Sequence, residues 1–111
     1  MEYLDDEGYP TNECLEYLSD HDNFSSPHEI IDLLDEIWWM PDWGITRKGA
    51  HTDKFKRRVF TYYISTGGWS GNESIINALK KNFMFWHYWR ESRAGGHYKF
   101  RFPVKQTPST A

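Results

Sequence analysis

Residues 65–73 read Ser65-Thr66-Gly67-Gly68-Trp69-Ser70-Gly71-Asn72-Glu73 and separate two contrasting patterns. Residues 59–64 alternate as a half-buried β-strand does, whereas Ile75, Ile76 and Leu79 recur with helical spacing. Three glycines within nine residues suit a tight turn. The stretch therefore predicts a strand-to-helix corner, with Ser70 and Glu73 at the spacing of a capping box, and a helix over about residues 74–82 that ends at Asn82.

The N-terminal part of the chain predicts an arm and two helices. Tyr9-Pro10 favours extended backbone, and we expect residues 1–10 to form a flexible arm. Thr11 is placed to cap a helix that runs through about residue 20. Ser26-Pro27-His28-Glu29 predicts a second helix that opens with a capping box, and Pro41 ends it.

Strand patterns dominate the remainder. We expect a short strand over residues 45–48, a polar loop over 49–53 and a strand over 56–65. Residues 83–91 predict a strand rich in aromatic side chains, and residues 97–102 predict a final strand whose Tyr98, Phe100 and Phe102 face the core. The order α-α-β-β-α-β-β predicts a single α+β domain over 11–103, with a four-stranded, mostly antiparallel sheet, helices on one face and a flexible tail over 104–111.

Charge divides the chain sharply. Residues 1–42 contain 13 acidic residues and no Lys or Arg, while residues 43–111 hold all 13 basic residues and three acidic ones. Two interpretations stay open: acidic helices whose charges are compensated beside a basic sheet, or one acidic and one basic face, each available to a partner. The overall charge of −3 argues against tight binding to long DNA or RNA.

Several classes of site are disfavoured by composition. Cys14 is the single cysteine, so neither an internal disulfide nor a cysteine-based zinc site is expected, and the five histidines show no metal-ligand spacing. No apolar run is long enough to cross a bilayer, and the acidic start does not resemble a signal peptide. We therefore expect a cytoplasmic protein without a membrane, metal or cofactor partner.

The corner itself is the first candidate binding site. Gly67 and Gly68 would let a ligand approach the backbone closely, Trp69 would stack on a planar base, and Ser70 and Asn72 would contact polar edges. Glu73 would repel an anion, and the pattern lacks the Lys-Ser/Thr ending of a P-loop. The alternative is a turn that serves packing alone.

The predicted strand 83–91 carries the second argument for a site. Both of its faces are aromatic, Trp86 among them, and helices can bury only one face of a sheet. The other face would be covered by aromatic residues of the turn at 38–43, by a second subunit or by a ligand. Arg90, Arg93 and His97 lie nearby in the sequence and would offset phosphate charge.

The motifs of residues 65–76, Phe85-Trp86-His87-Tyr88-Trp89 and Arg93-Ala94-Gly95-Gly96-His97-Tyr98, in that order, resemble small phage- and prophage-encoded proteins of unassigned function. The resemblance covers roughly residues 38–102 and brings no activity with it. It implies action in the cytoplasm of an infected bacterium, where many short accessory proteins counter host defences.

Three hypotheses follow. The first is a non-enzymatic binding protein that holds a nucleotide-like ligand at the corner and the aromatic, basic sheet face. The second is an inhibitor whose acidic helices dock on a basic, nucleic-acid-binding host protein through residues such as Glu13, Glu16, Asp32, Asp35 and Glu36. The third is a small enzyme that uses Glu73 with His87 or His97.

Overall fold

The chain builds one four-stranded sheet behind a layer of helices in residues 2–103, the part that the computed structural model describes. The helices are α1 (Asn12–Ser19), α2 (Pro27–Ile37), α3 (Pro41–Gly44), α4 (Ser70–Lys80) and α5 (Phe83–Trp86), with a 3₁₀ turn at His21–Asn23. The strands are β1 (Ile45–Thr52), β2 (Arg58–Ser65), β3 (Trp89–Arg93) and β4 (His97–Pro103). Their order in the sheet is β1-β2-β4-β3, and every neighbouring pair is antiparallel. The predicted α+β class and antiparallel sheet are confirmed.

Alternation along β2 and β4 separates the two faces of the sheet. Ile64 and Phe102 are fully buried on the face that packs on the helices, in one cluster with Leu34 of α2 and Leu79 of α4. Phe100, also fully buried, pairs with Tyr62 across the two strands, so the predicted inward set of β4 is confirmed. The opposite face, which we call the open face, carries Tyr63, Ser65, His97, Lys99 and Arg101. Thr61 lies on the same face but is buried.

The prediction of a strand over residues 83–91 is wrong for residues 83–88, because residues 83–86 form α5 and β3 begins at Trp89, and it is confirmed for residues 89–91. Asn82 is fully buried; its side chain accepts a hydrogen bond from the Phe85 amide (3.1 Å) and donates one to the Leu18 carbonyl (2.8 Å). Asn82 is therefore the N-cap of α5 and not the C-cap of α4, which is Lys81. A short aromatic run does not distinguish helix from strand, and this buried cap decides for helix.

The structure also differs from the prediction in where β1 ends and where α4 begins. β1 continues to Thr52, through the residues predicted as a loop, because it pairs with β2 across an irregularity between Lys48 and His51. The helix after the corner begins at Ser70 rather than near residue 74, and its N-cap is Trp69, so the predicted cap by Ser70 is wrong. The cap at Thr11 is confirmed, since its hydroxyl accepts from the Cys14 amide at 3.1 Å.

The start of α2 differs from the prediction in its hydrogen bonds. The helix begins at Pro27 as expected, but Ser26 makes no side-chain cap. Glu29 instead accepts from the amide of Ser25, one residue earlier, at 2.9 Å. The predicted capping box is therefore wrong in detail, because the Glu29 carboxylate accepts from the Ser25 amide and not from the Ser26 amide.

The N-terminal residues fold back on the domain. Leu4 bridges Pro10, and the Thr11 amide donates to the Tyr3 carbonyl (3.0 Å). Tyr3 and Leu4 pack against the core. The flexibility expected of residues 1–10 stays a prediction, and the tail predicted for 104–111 lies outside the described residues.

Candidate functional site

The two glycines of the corner are required by its backbone. Gly67 has φ +64° and Gly68 has φ +76°, a region that other residues enter only at a cost. The hydroxyl of Thr66 accepts from the Gly68 amide at 3.3 Å, and the Thr66 carbonyl accepts from the Trp69 amide at 3.2 Å. The turn therefore closes on itself.

Trp69 is packed by its own chain. Its ring stacks on Tyr9 (centroids 4.8 Å apart, planes at 28°) and lies 5.5 Å from the ring of Trp39. The same ring covers Gly71 so closely that a Cβ there would overlap it. The third glycine of the corner thus makes room for Trp69, and neighbouring rings occupy the stacking surface that was expected to receive a ligand.

Asn72 is a structural clamp. It is buried, its Oδ1 accepts from the Trp39 amide (3.0 Å), and its Nδ2 donates to the carbonyls of Trp39 and Thr66 (both 3.2 Å). Both amide protons are used in this way, so the side chain has no donor left for a ligand. Ser70 and Glu73 point outward from the first turn of α4 and are exposed.

Trp86 and Arg90 lie elsewhere in the molecule. The Trp86 ring packs edge-on against Tyr98 and Phe100, and the Lys80 ammonium stands 5.8 Å from its centroid. Arg90 is exposed, and its guanidinium donates to the backbone carbonyls of His87 and Trp89. Neither residue joins the corner in a common site.

Arg93 and His97 do come together, as cross-strand partners of β3 and β4. They line a concavity of about 400 Å³ at one end of the open face, which we call the open-face pocket. Its lining residues are Tyr63, Ser65, Glu91, Arg93, His97, Tyr98 and Lys99.

Polar contacts organise the open-face pocket. The Ser65 hydroxyl and Nδ1 of His97 lie 2.7 Å apart, and Arg93 pairs with Glu91 at 3.1 Å. The Lys99 ammonium stands 5.8 Å from the ring centroid of Tyr63, which is 43% exposed. Cations therefore outnumber the single carboxylate, which Arg93 already neutralises.

Five residues of this pocket were not predicted as site residues: Tyr63, Ser65, Glu91, Tyr98 and Lys99. The alternation of β4 does indicate that Lys99 points away from the core, but only the register places it opposite Tyr63. A larger groove, of about 810 Å³, lies beside α2. Its lining includes two acidic residues, Glu29 and Asp32, and no Lys or Arg from the described part of the chain. That groove does not suit an anion.

A second exposed surface surrounds the corner. We call Tyr9, Trp39, Met40, Trp43 and Trp69 the aromatic corner. Trp43 is 57% exposed and packs over Gly67, while Met40, also exposed, holds φ +58°. Acidic residues stand beside it in sequence, Asp42 within α3 and three more in the turn before Tyr9.

Charges stay largely separate in the fold. Within residues 2–103, Asp35–Arg47 is the one ion pair that joins the acidic first part of the chain to the basic second part. The acids of α1 and α2 named above are exposed on the helical side, whereas Arg93, His97 and Lys99 line the open face. The helical side is not purely acidic, however, because Lys80 and Lys81 are exposed at the end of α4 and Lys81 lines a groove with Glu16. Both interpretations of the charge division therefore stay open.

The aromatic residues 83–86 lie in α5, so they do not form a second aromatic face of the sheet that a subunit or ligand would have to cover. Open-face residues of the pocket are mainly polar. A homo-oligomer stays a prediction without this support.

The described residues hold one cluster of potential metal ligands. Asp20, His21 and Asp22 hold potential ligand atoms within 4.8 Å of one another, but all three are exposed and Asp20 already accepts from the Asp22 amide. Across residues 2–103, no helix has the length and apolar character needed to traverse a bilayer.

Comparison with known proteins finds no matching family model, no significantly similar curated protein and no significantly similar solved structure. The resemblance to phage-encoded proteins therefore stays a prediction.

Proposed function

We propose that the protein is a binding protein for a nucleotide-like ligand, held in the open-face pocket. The observation that supports this is the convergence of Arg93, His97 and Lys99 with the exposed ring of Tyr63 around one concavity of about 400 Å³. Binding pockets for small ligands have volumes of this order and combine a flat apolar surface with a few placed polar groups.

Five of the seven lining residues have a role in the proposal. Arg93 and Lys99 would contact phosphate oxygens, since charge-assisted hydrogen bonds to phosphate are the strong ones. Tyr63 would stack on the base, and the Ser65–His97 pair would bond a polar edge. In a phage setting, such a protein would sequester a nucleotide signal of the host.

The site differs from the one expected at residues 67–73. The ring of Trp69 is covered by Tyr9 and Trp39, and the amide of Asn72 is engaged by backbone. In the proposal, the corner supports the end of β2, and the ligand contacts come from the open face beyond it.

Calorimetry with a panel of linear and cyclic adenine and guanine nucleotides tests the proposal. We expect Arg93→Ala and Lys99→Ala each to weaken binding about tenfold or more, the loss of one charge-assisted contact. Arg90→Ala is the matched control, because this arginine is exposed on the same strand but does not line the pocket. Absence of binding to every nucleotide, or equal losses in Arg90→Ala and Arg93→Ala, would overturn the proposal.

A second candidate, docking on a basic nucleic-acid-binding protein, is favoured by the aromatic corner and its acidic neighbours. Aromatic residues and Met are the side chains that protein interfaces prefer. Charge reversal of Asp32 and Glu36, or Trp43→Ala, should then weaken binding to such a purified protein, whereas Arg93→Ala should not. The reverse ranking would remove this candidate.

The third hypothesis, a small enzyme that uses Glu73 with His87 or His97, gains no support from the hydrogen bonds of the described residues. In the described chain no hydrogen bond or ion pair joins Glu73 to His87 or His97, and Ser65 bonds His97 instead. A serine bonded to an imidazole is one way to activate a nucleophile, but an orienting carboxylate on the other ring nitrogen is missing from residues 2–103. Full activity of Glu73→Gln would remove the hypothesis as stated.

A further inference from the structure

The turn between β1 and β2 is a built structure. The Asp53 side chain, 1% exposed, accepts from the amides of Phe55 and Arg57 (both 2.9 Å) and from Nε of Arg57 (3.0 Å). The Asp53 amide donates to the Arg57 carbonyl (2.8 Å), and Lys56 holds φ +63°. One carboxylate thus organises the whole tip of the hairpin.

The tip displays an aromatic ring among cations. Phe55 is 64% exposed, and the cationic groups of Lys54 and Arg57 each lie 5.2 Å from its centroid. Lys56 and Arg58 are exposed beside them. The tip therefore carries four cations, and its only carboxylate is turned inward and occupied by the backbone and Arg57.

Exposure alone does not indicate a ligand, because single apolar side chains are common on protein surfaces and Phe83 is more exposed than Phe55. Phe55 differs in its place among four cations. It also stands on a turn whose backbone is fixed by five hydrogen bonds from or to Asp53 and Lys56.

We propose that the β1–β2 tip is a binding site for single-stranded nucleic acid. Phe55 stacks on an unpaired base, and Lys54, Lys56 and Arg58 contact the phosphates on either side of it. Stacking platforms flanked by cations are the means by which proteins hold single strands without sequence preference. This site is separate from the open-face pocket, and it does not depend on nucleotide binding there.

The basic residues near the tip favour a linear polyanion over an anionic membrane. β2 starts at the tip and runs about 23 Å to the open-face pocket, and Lys48 and Arg101 pair with Thr61 between the two ends. A strand of phosphates can follow such a line. A bilayer that took up Phe55 would meet the cations of the tip at its headgroups, but not Lys48 and Arg101 farther along the sheet.

Fluorescence anisotropy with a labelled oligo-dT, at low ionic strength because the acidic helices weaken attraction at long range, tests the proposal. We expect Phe55→Ala to weaken binding at least about fivefold, the loss of one base–aromatic stack. Lys54→Ala and Lys56→Ala should each reduce the slope of log affinity against log salt by about 0.7. Phe83→Ala is the matched control, since this phenylalanine is 77% exposed on α5, away from the tip.

Three results would overturn the proposal: no binding of oligo-dT, equal losses in Phe55→Ala and Phe83→Ala, or Phe55-dependent binding to phosphatidylserine vesicles but not to oligo-dT. Thermal unfolding of Phe55→Ala checks folding, and we expect little change because the ring is exposed. Arg93→Ala distinguishes the two sites, because it should reduce binding of mononucleotides and leave the contribution of Phe55 to oligo-dT binding unchanged.

Discussion

The side chain of Asn72 and the backbone of Trp39 exchange two hydrogen bonds, 3.0 Å from the Trp39 amide to Oδ1 and 3.2 Å from Nδ2 to the Trp39 carbonyl. A third bond to the Thr66 carbonyl joins the end of β2 to the same amide group. One buried side chain in α4 therefore holds together the link after α2, the corner and the start of α4. The positions of Trp39 and Trp69 depend on it.

Replacement of Asn72 should destabilise the whole domain. Asn72→Ala leaves polar backbone groups without partners, at a cost of about 1–3 kcal/mol. Asn72→Asp should cost more, because a buried carboxylate would face two carbonyl oxygens. Urea unfolding measures both, and Asn77→Ala, at an exposed position of the same helix, should change the free energy of unfolding by less than about 0.5 kcal/mol. A neutral Asn72→Ala would contradict the clamp.

Gly71→Ala should destabilise, although glycine to alanine inside a helix ordinarily stabilises by about 0.5–1 kcal/mol. The new Cβ would overlap the Trp69 ring, and we expect overpacking to cost about 1–3 kcal/mol. Gly49→Ala in β1 is the control, because its Cβ would meet no atom within 4 Å and its φ is not positive. Chemical denaturation and the Trp emission maximum report the difference, and a stabilised Gly71→Ala would show that Trp69 does not lie where we place it.

Asp53 should make the hairpin tip sensitive to acid. The backbone hydrogen bond from Arg57, with that from Phe55 and the Arg57 side chain, holds the pKa of Asp53 below its ordinary value of 3.8. A lowered folded-state pKa contributes stability that is present above about pH 4 and is lost as the pH falls through the folded value.

The difference in melting temperature between the natural protein and Asp53→Asn should therefore be positive near neutral pH and shrink below about pH 4. Asp6→Asn, in an exposed turn, is the control and should show a small difference throughout. A difference for Asp53→Asn that grows on acidification would contradict the tip geometry.

Cys14 should be inert in the folded protein. It is fully buried in α1, and burial raises the pKa of its thiol to about 11 from an ordinary value of 9.0. The thiol thus contributes stability that is present below about pH 9 and is lost as the pH rises toward 11, since the unfolded chain ionises first.

At pH 8 about one molecule in a thousand would carry the thiolate in the folded state. Labelling by a thiol reagent should accordingly be slow in native buffer and fast in urea. Rapid stoichiometric labelling under native conditions, with the fold intact by circular dichroism, would be inconsistent with the position of α1.

Much of the architecture is determined locally. Proline at the first position of α2 and the hydroxyl of Thr11 mark helix starts, and alternation in β2 and β4 separates a core face from an open face. Positive φ at Gly67 and Gly68 is likewise a local requirement, which the glycine pair indicates. These features could be predicted because each depends on the residue and its near neighbours alone.

The tertiary structure decided what local patterns leave open. Whether residues 83–86 form helix or strand depends on Asn82 and its bond to Leu18, 64 residues away in sequence. Whether Trp69 meets a ligand or its own chain depends on Tyr9 and Trp39, and the open-face pocket exists only in the register that sets Tyr63 beside Lys99. Such contacts join segments that are far apart in sequence, and hydrophobic periodicity within one segment cannot predict them. The corner that predicts the fold is therefore packed against its own chain, and the cationic pocket lies on the open face of the sheet.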